Sequence, residues 1–145
     1  MDFFTSMKIS SSGLSVQRKR MEAISNNLAN AETTRTAEGG PYKRQDVVVT
    51  ALPVQDDFNA MLQTELGESL MQTLVTKIIR DQSEPRAVFN PSHPDANEQG
   101  VVAMPNVDMV TEMVNMITTS RSFEANVTAI EASKSMAQRA IDLGR

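Results

Sequence analysis

Apolar side chains recur at alternating spacings of four and three at both ends of this 145-residue chain, and these two helical seams constrain its fold more than any other feature. The first runs Phe3, Met7, Ser10, Leu14, Gln17, Met21, Ile24, Leu28, Ala31, a narrow stripe that is weak at Ser10 and Gln17. The second runs Met109, Met113, Met116, Ser120, Phe123, Val127, Ile130, Lys134, Ala137, Ile141, with no Gly or Pro between Pro105 and Gly144. A continuous helix from Asn106 to Leu143 would be about 57 Å long, more than a compact domain of this size is wide, so an elongated molecule is expected. Asn106 is the expected cap, with Asp108 and Glu112 near the positive end of the helix and Arg139 toward its negative end.

Large side chains for a globular core are few: the chain is 40% hydrophobic but only 4% aromatic, with no Trp. Much of its apolar surface is therefore left for a partner. Ten Met residues, among them Met104, Met109, Met113 and Met116, supply flexible side chains that suit repeated interfaces as well as ordinary helix packing. A net charge of −4 is of the wrong sign for a nucleic-acid binder. The charge is uneven, +3 over residues 1–44 and −6 over residues 45–105, which can guide head-to-tail contact between copies, although such surface attraction is screened by salt. Gln17-Arg18-Lys19-Arg20 reads as a solvated helix face. The absence of Cys removes disulfides and thiolate chemistry together. No apolar run approaches the eighteen residues of a membrane span, and Met1-Asp2-Phe3-Phe4 lacks the basic and apolar segments of a cleaved secretory leader. The chain is thus expected either to stay in the cytoplasm or to leave by a route that reads no such leader.

Between the seams the pattern changes. The first helix should end near Asn26, Asn27 and Asn30, whose side chains compete with helical hydrogen bonds, and Ser10-Ser11-Ser12-Gly13 is a soft spot within it. Gly39-Gly40-Pro41 marks a turn. Tyr42 to Ala51, with Val47-Val48-Val49-Thr50, favours a strand, and Leu70 to Arg80 alternates in part, which fits a strand or a short helix, the strand being preferred. Arg86 to Asn90 and Gly100 to Met104 predict two further short strands around the Pro-rich loop Pro91-Ser92-His93-Pro94-Asp95, so that one small sheet interrupts two helical ends. Pro53 to Ser69 carries no clear pattern. The fold class expected is mainly α with a small β-rich middle segment.

Chemistry has little to stand on. His93 is the only histidine; with Asp95 it could form a dyad, but zinc needs three or four protein ligands and general-base work needs a positioned substrate, so a loop-structuring role is expected. Asp56-Asp57 and Glu65 with Glu68 lack a calcium-loop or glycosidase context. Phosphate loops, nucleophile elbows and metal-ligand spacings are missing. The sequence therefore predicts no catalytic residue, no metal and no cofactor.

Ser11-Ser12-Gly13-Leu14 followed by Asn26-Asn27-Leu28-Ala29-Asn30-Ala31-Glu32-Thr33-Thr34 resembles the amino-terminal motif of bacterial flagellar rod and hook proteins. Glu38-Gly39-Gly40-Pro41-Tyr42, Asn90 to Ala96, Gly100 to Val107, Glu112 to Met116 and Ser120 to Val127 are similar to the proximal-rod branch of the flagellar basal-body rod family. The resemblance covers roughly four fifths of the chain by these motif spans, and the stretch from Pro53 to Leu70 departs from the family pattern. It implies a non-enzymatic structural subunit, exported by the flagellar type III apparatus from the cytoplasm and assembled into the rod that crosses the periplasm. It also implies that the two terminal helices pair as a coiled coil and stack with copies of the chain and with other rod proteins. Residues 1–34 and 105–145 would then form a discontinuous helical assembly domain around a middle segment, 35–104. The expected assembly residues are Met7, Leu14, Met21, Ile24, Asn27, Leu28 and Asn30 at one end, and Met109, Met113, Met116, Phe123, Val127, Ile130 and Ile141 at the other. Asn27 and Asn30 match the family motif, and their amides are expected to bond backbone groups where helix gives way to loop. A soluble helical adaptor or export chaperone, binding one client helix, is the alternative.

Overall fold

The computed structural model describes residues 3–53 and 71–144. Two long helices enclose a β-rich middle. Helix α1 spans Phe3–Ala29 and α2 spans Met109–Leu143, about 52 Å of helix at about 1.5 Å per residue. Between them, β1 (Gln45–Pro53) pairs antiparallel with β2 (Met71–Arg80), and β3 (Arg86–Phe89) with β4 (Val101–Met104). The expected single sheet is instead two separate two-stranded ribbons. Pro85, which has no N–H to give, and an Asp81 turn accepting from Ser83 N at 2.8 Å end the first ladder before β3 begins. The unpatterned stretch after Pro53, and Leu70 with it, lies outside the described residues.

Helix α1 ends where its asparagines accumulate. Asn30 donates both its backbone N–H and its Nδ2 to the Asn26 carbonyl, at 3.1 and 2.9 Å, so a carbonyl left over at the helix end is satisfied from within the loop. The loop then folds on itself: Tyr42 N donates to Thr33 O, and Thr36 N to Gly40 O, around Gly39 and Gly40 at φ of 87° and 78°. Only glycine reaches that left-handed region cheaply. The cap of α2 is Asp108, two residues later than Asn106; its Oδ1 accepts from Val110 N at 3.0 Å and its Oδ2 from Thr111 Oγ1 at 2.8 Å. The shift has a packing cause, because Pro105 and Val107 are buried and must turn inward before the helix can start.

The core is small and lies at one end of the helix pair. Val16, Ala23, Ile24 and Ala31 of α1 and its exit, Val47 of β1, Val102 of β4 and Val107 before α2 are its buried apolar residues. A buried Val or Ile contributes about 1.5–3 kcal/mol and an Ala less, so these seven modest side chains among the described residues cannot hold two long helices alone. Polar contacts carry the rest of the junction.

Candidate assembly interface

Asn27 occupies the centre of that junction, fully enclosed at 0% exposure. Its Oδ1 accepts from Gln45 N at 2.8 Å and from Tyr42 Oη at 3.0 Å, while its Nδ2 donates to Gln45 O at 2.9 Å and to Glu112 Oε2 at 3.0 Å. Two donors and two lone pairs are all that an amide has, so the group is saturated. Toward Gln45 it acts as a strand neighbour, pairing both backbone groups at the start of β1. Glu112, 1% exposed, takes Arg44 Nε and Nη2 on its other oxygen, each at 2.9 Å. The carboxylate therefore has a charged partner and a neutral one, the condition under which a buried ion is tolerated. Burial raises the Tyr42 phenol above its ordinary pKa, and the Glu112 carboxylate pushes it the same way against an opposing effect of Arg80.

From this hub the helices run antiparallel. Gly13 faces Asn126, and Phe3 lies near Ala137 and Ile141. The side of α2 shielded in this pairing follows Glu112, Met116, Thr119, Phe123, Asn126, Ile130, Ser133 and Ala137, at steps of four and three. The expected stripe shares one of these rows, Met116, Phe123, Ile130 and Ala137. Its second row, Met113, Ser120, Val127 and Lys134, is displaced by one residue from the observed Glu112, Thr119, Asn126 and Ser133. Ser120 and Val127 are half-buried like Asn126 and Ser133, but Glu112 and Thr119 are buried where Met113 is exposed, so the row turned furthest inward is polar. Ser12 and Gly13 also prove to be contacts within an unbroken helix: Thr73 N of β2 donates to Ser12 Oγ at 3.2 Å, and Gly13 leaves room for the Asn126 amide.

The expected assembly residues divide by exposure. Ile24 and Asn27 are enclosed within the subunit; Met7, Leu14, Met21, Leu28, Asn30, Met116, Phe123, Val127 and Ile130 are half-buried; Met109, Met113 and Ile141 are exposed. Met109, Val110, Met113, Val114 and Ile117, 44 to 70% exposed, make an outward apolar patch on the first turns of α2. Val110, Val114 and Ile117 were not among the expected residues, nor were Glu112, Arg44 and Tyr42 of the hub. The seven-residue recurrence of Glu112, Thr119, Asn126 and Ser133 beside an apolar row is the sequence feature that could have identified the seam's polar side.

His93 braces its loop, its Nδ1 accepting from Asp95 N at 3.1 Å, while Asp95 receives the Thr34 hydroxyl at 2.7 Å and so ties that loop to the exit of α1. Among the described residues, no group of three or more His, Asp or Glu side chains could hold a metal ion, and no helix is long and apolar enough to cross a membrane. A groove of about 610 Å³ between α1 and β2 is lined by Lys8, Ser11, Lys19, Leu74 and Ile78 among others, without a converging acid and base.

Comparison with known proteins agrees with the motifs at both ends. Residues 7–35 match the family model described as flagella basal body rod protein, and residues 98–143 match the flagellar basal body rod FlgEFG protein C-terminal model. The flagellar basal-body rod protein FlgC of Bacillus subtilis is 39% identical over 100% of both chains. FlgC of Borreliella burgdorferi is 39% identical over 97% of each, and FlgC of Salmonella typhimurium 35% identical over 94% of each.

Proposed function

The chain belongs to the FlgC family of flagellar basal-body rod proteins, and from that premise we propose how its terminal helices build the rod. It is a structural subunit of the flagellar basal body and not an enzyme. In this reading α1 and α2 form one elongated coiled-coil stem. The inner seam is satisfied within the subunit, and the outward apolar residues meet copies of the chain and other rod proteins. Met109, Met113 and Ile141 make direct contact, the half-buried Met7, Leu14, Met21, Leu28, Asn30, Met116, Phe123, Val127 and Ile130 line the margins, and Ile24 and Asn27 shape the surface from beneath. Unlike patches that meet head to tail do not close on themselves, so the product is an open helix that extends the axial shaft. The chain reaches its site across the periplasm through the flagellar type III export apparatus; neither nucleic acid nor membrane insertion has a part.

The observation that supports this reading best is the apolar patch from Met109 to Ile117, which stands exposed among the described residues. Val114→Asp with Ile117→Asp tests it. The purified variant should keep its helix content, since surface changes cost within about 0.5 kcal/mol, yet fail to enter basal bodies and fail to restore motility to cells lacking the native subunit. Normal incorporation would refute the assignment. Light scattering separates the adaptor alternative, for which a closed complex of fixed stoichiometry would form in place of monomer or open polymer.

A further inference from the structure

The seam between α1 and α2 is made of two rows with different information content. Met116, Phe123, Ile130 and Ala137 are all apolar and repeat every seven residues, so sliding α2 by one heptad, about 10.5 Å, sets apolar against apolar again. That row cannot choose a register. The other row differs at every step, and at two steps it is fitted to its opposite. Glu112 meets Asn27 Nδ2 and Arg44, and Asn126 lies against Gly13, where an added Cβ would come within 3.0 Å of its Nδ2. The fourteen residues from Asn27 down to Gly13 match the fourteen from Glu112 up to Asn126, two heptads on each helix.

A one-heptad slip that keeps Asn27 opposite helix brings Thr119 to Asn27 and Ser133 to Gly13. The buried Glu112 carboxylate then loses the Asn27 amide, and the space above Gly13 is left unfilled. We propose that Asn27–Glu112 and Gly13–Asn126 are a two-point register key, which selects one of several alignments that the apolar row would accept. By fixing the register it also fixes which apolar residues stay outside the pair, the Met113 patch at one end of α2 and Ile141 with Leu143 at the other. The inference concerns the subunit itself, and its failure would leave the rod assignment untouched.

The chain contains no cysteine, so introduced pairs report register without interference. Ser6→Cys with Ser133→Cys marks the observed alignment, and Ser6→Cys with Ala140→Cys marks the slip; both are oxidised in dilute monomer with the rest of the chain native. The first pair should cross-link and the second should not. In the Asn27→Leu, Glu112→Leu background, which also takes these partners from Arg44, Tyr42 and the Gln45 backbone, the 6/140 cross-link should rise about tenfold, the population change that about 1.4 kcal/mol carries. Gly13→Ala with Asn126→Ala, both good helix formers, should raise it several-fold, and this variant decides the matter if the Leu pair loses its helical circular dichroism. A 6/140 cross-link in the native background, or exclusive 6/133 cross-linking in the folded variants, would overturn the proposal.

Discussion

Asn27 and Glu112, 85 positions apart in the chain, share a 3.0 Å hydrogen bond inside the junction where both helices meet the first strand. Asn27 is saturated by Glu112, Tyr42 and the Gln45 backbone, and Glu112 is held by Asn27 and Arg44, so truncating either leaves buried groups unpaired. Asn27→Ala leaves Glu112 its Arg44 partner but strands the buried groups that the amide paired, at about 1–3 kcal/mol for each that stays shielded from water, read as a lower midpoint in urea at unchanged slope. Asn27→Asp, which sets a second carboxylate against Glu112, should cost at least as much at neutral pH. A double-mutant cycle with Glu112→Gln should show strong coupling; additive losses would mean that the contact carries little energy.

Gly13 sits in mid-helix without a left-handed φ, so its retention is a matter of space and not of backbone conformation. Alanine there gains about 1 kcal/mol of helix propensity but presses on the Asn126 amide, the movable end of a flexible side chain. Gly13→Ala should therefore be near neutral, whereas Gly13→Ala in an Asn126→Ala background should show the propensity gain as a higher melting temperature. Gly13→Leu should separate the helices and destabilise strongly.

The sequence shows the helices and strands to within a few residues, because their signals are local: period, β-branching, glycine turns. The seam's second row is not legible in the same way. Met113 and Val127 look more buriable than Glu112 and Asn126 until their partners are known, and Arg44 reaches Glu112, and Gly13 reaches Asn126, only through tertiary folding. Asn27 is recognisable as part of a family motif but looks, in isolation, like a helix stop. Its actual role requires that the start of β1 lie beside it. Asp108 displaces Asn106 as the cap for a similar reason, the burial of Pro105 and Val107 on either side of Asn106.

Acid and alkali should weaken the subunit through different groups. The Thr111 hydroxyl and Val110 N–H hold Asp108 below the ordinary carboxylate range, as the Arg80 guanidinium holds Glu38 and Ser83 holds Asp81. A depressed folded pKa means that the unfolded chain binds more protons, so these contributions are present above about pH 4 and are lost as pH falls through the folded values. Asp108→Asn, which keeps a capping oxygen, should flatten this acid limb. Tyr42 has the opposite sign. Its raised folded pKa favours the native state below about pH 10, and that advantage disappears as pH climbs toward the folded value, so Tyr42→Phe should reduce the alkaline slope. Melting curves from pH 2 to 11 would check both limbs.

Ser12 links the helix pair to the first ribbon through one hydroxyl, which donates to Ile9 O at 2.7 Å and accepts from Thr73 N at 3.2 Å. Ser12→Ala removes the acceptor that α1 gives to that strand amide and should cost about 1–3 kcal/mol if the amide stays shielded from water, less if it can solvate. The two cases separate by hydrogen exchange. Faster exchange confined to Thr73 and its neighbours on β2, with α1 and α2 amides unchanged, is the outcome expected of a local tether. Uniform acceleration across both helices would mean instead that the ribbon is needed to hold the pair together, since only global unfolding exposes all three elements at once.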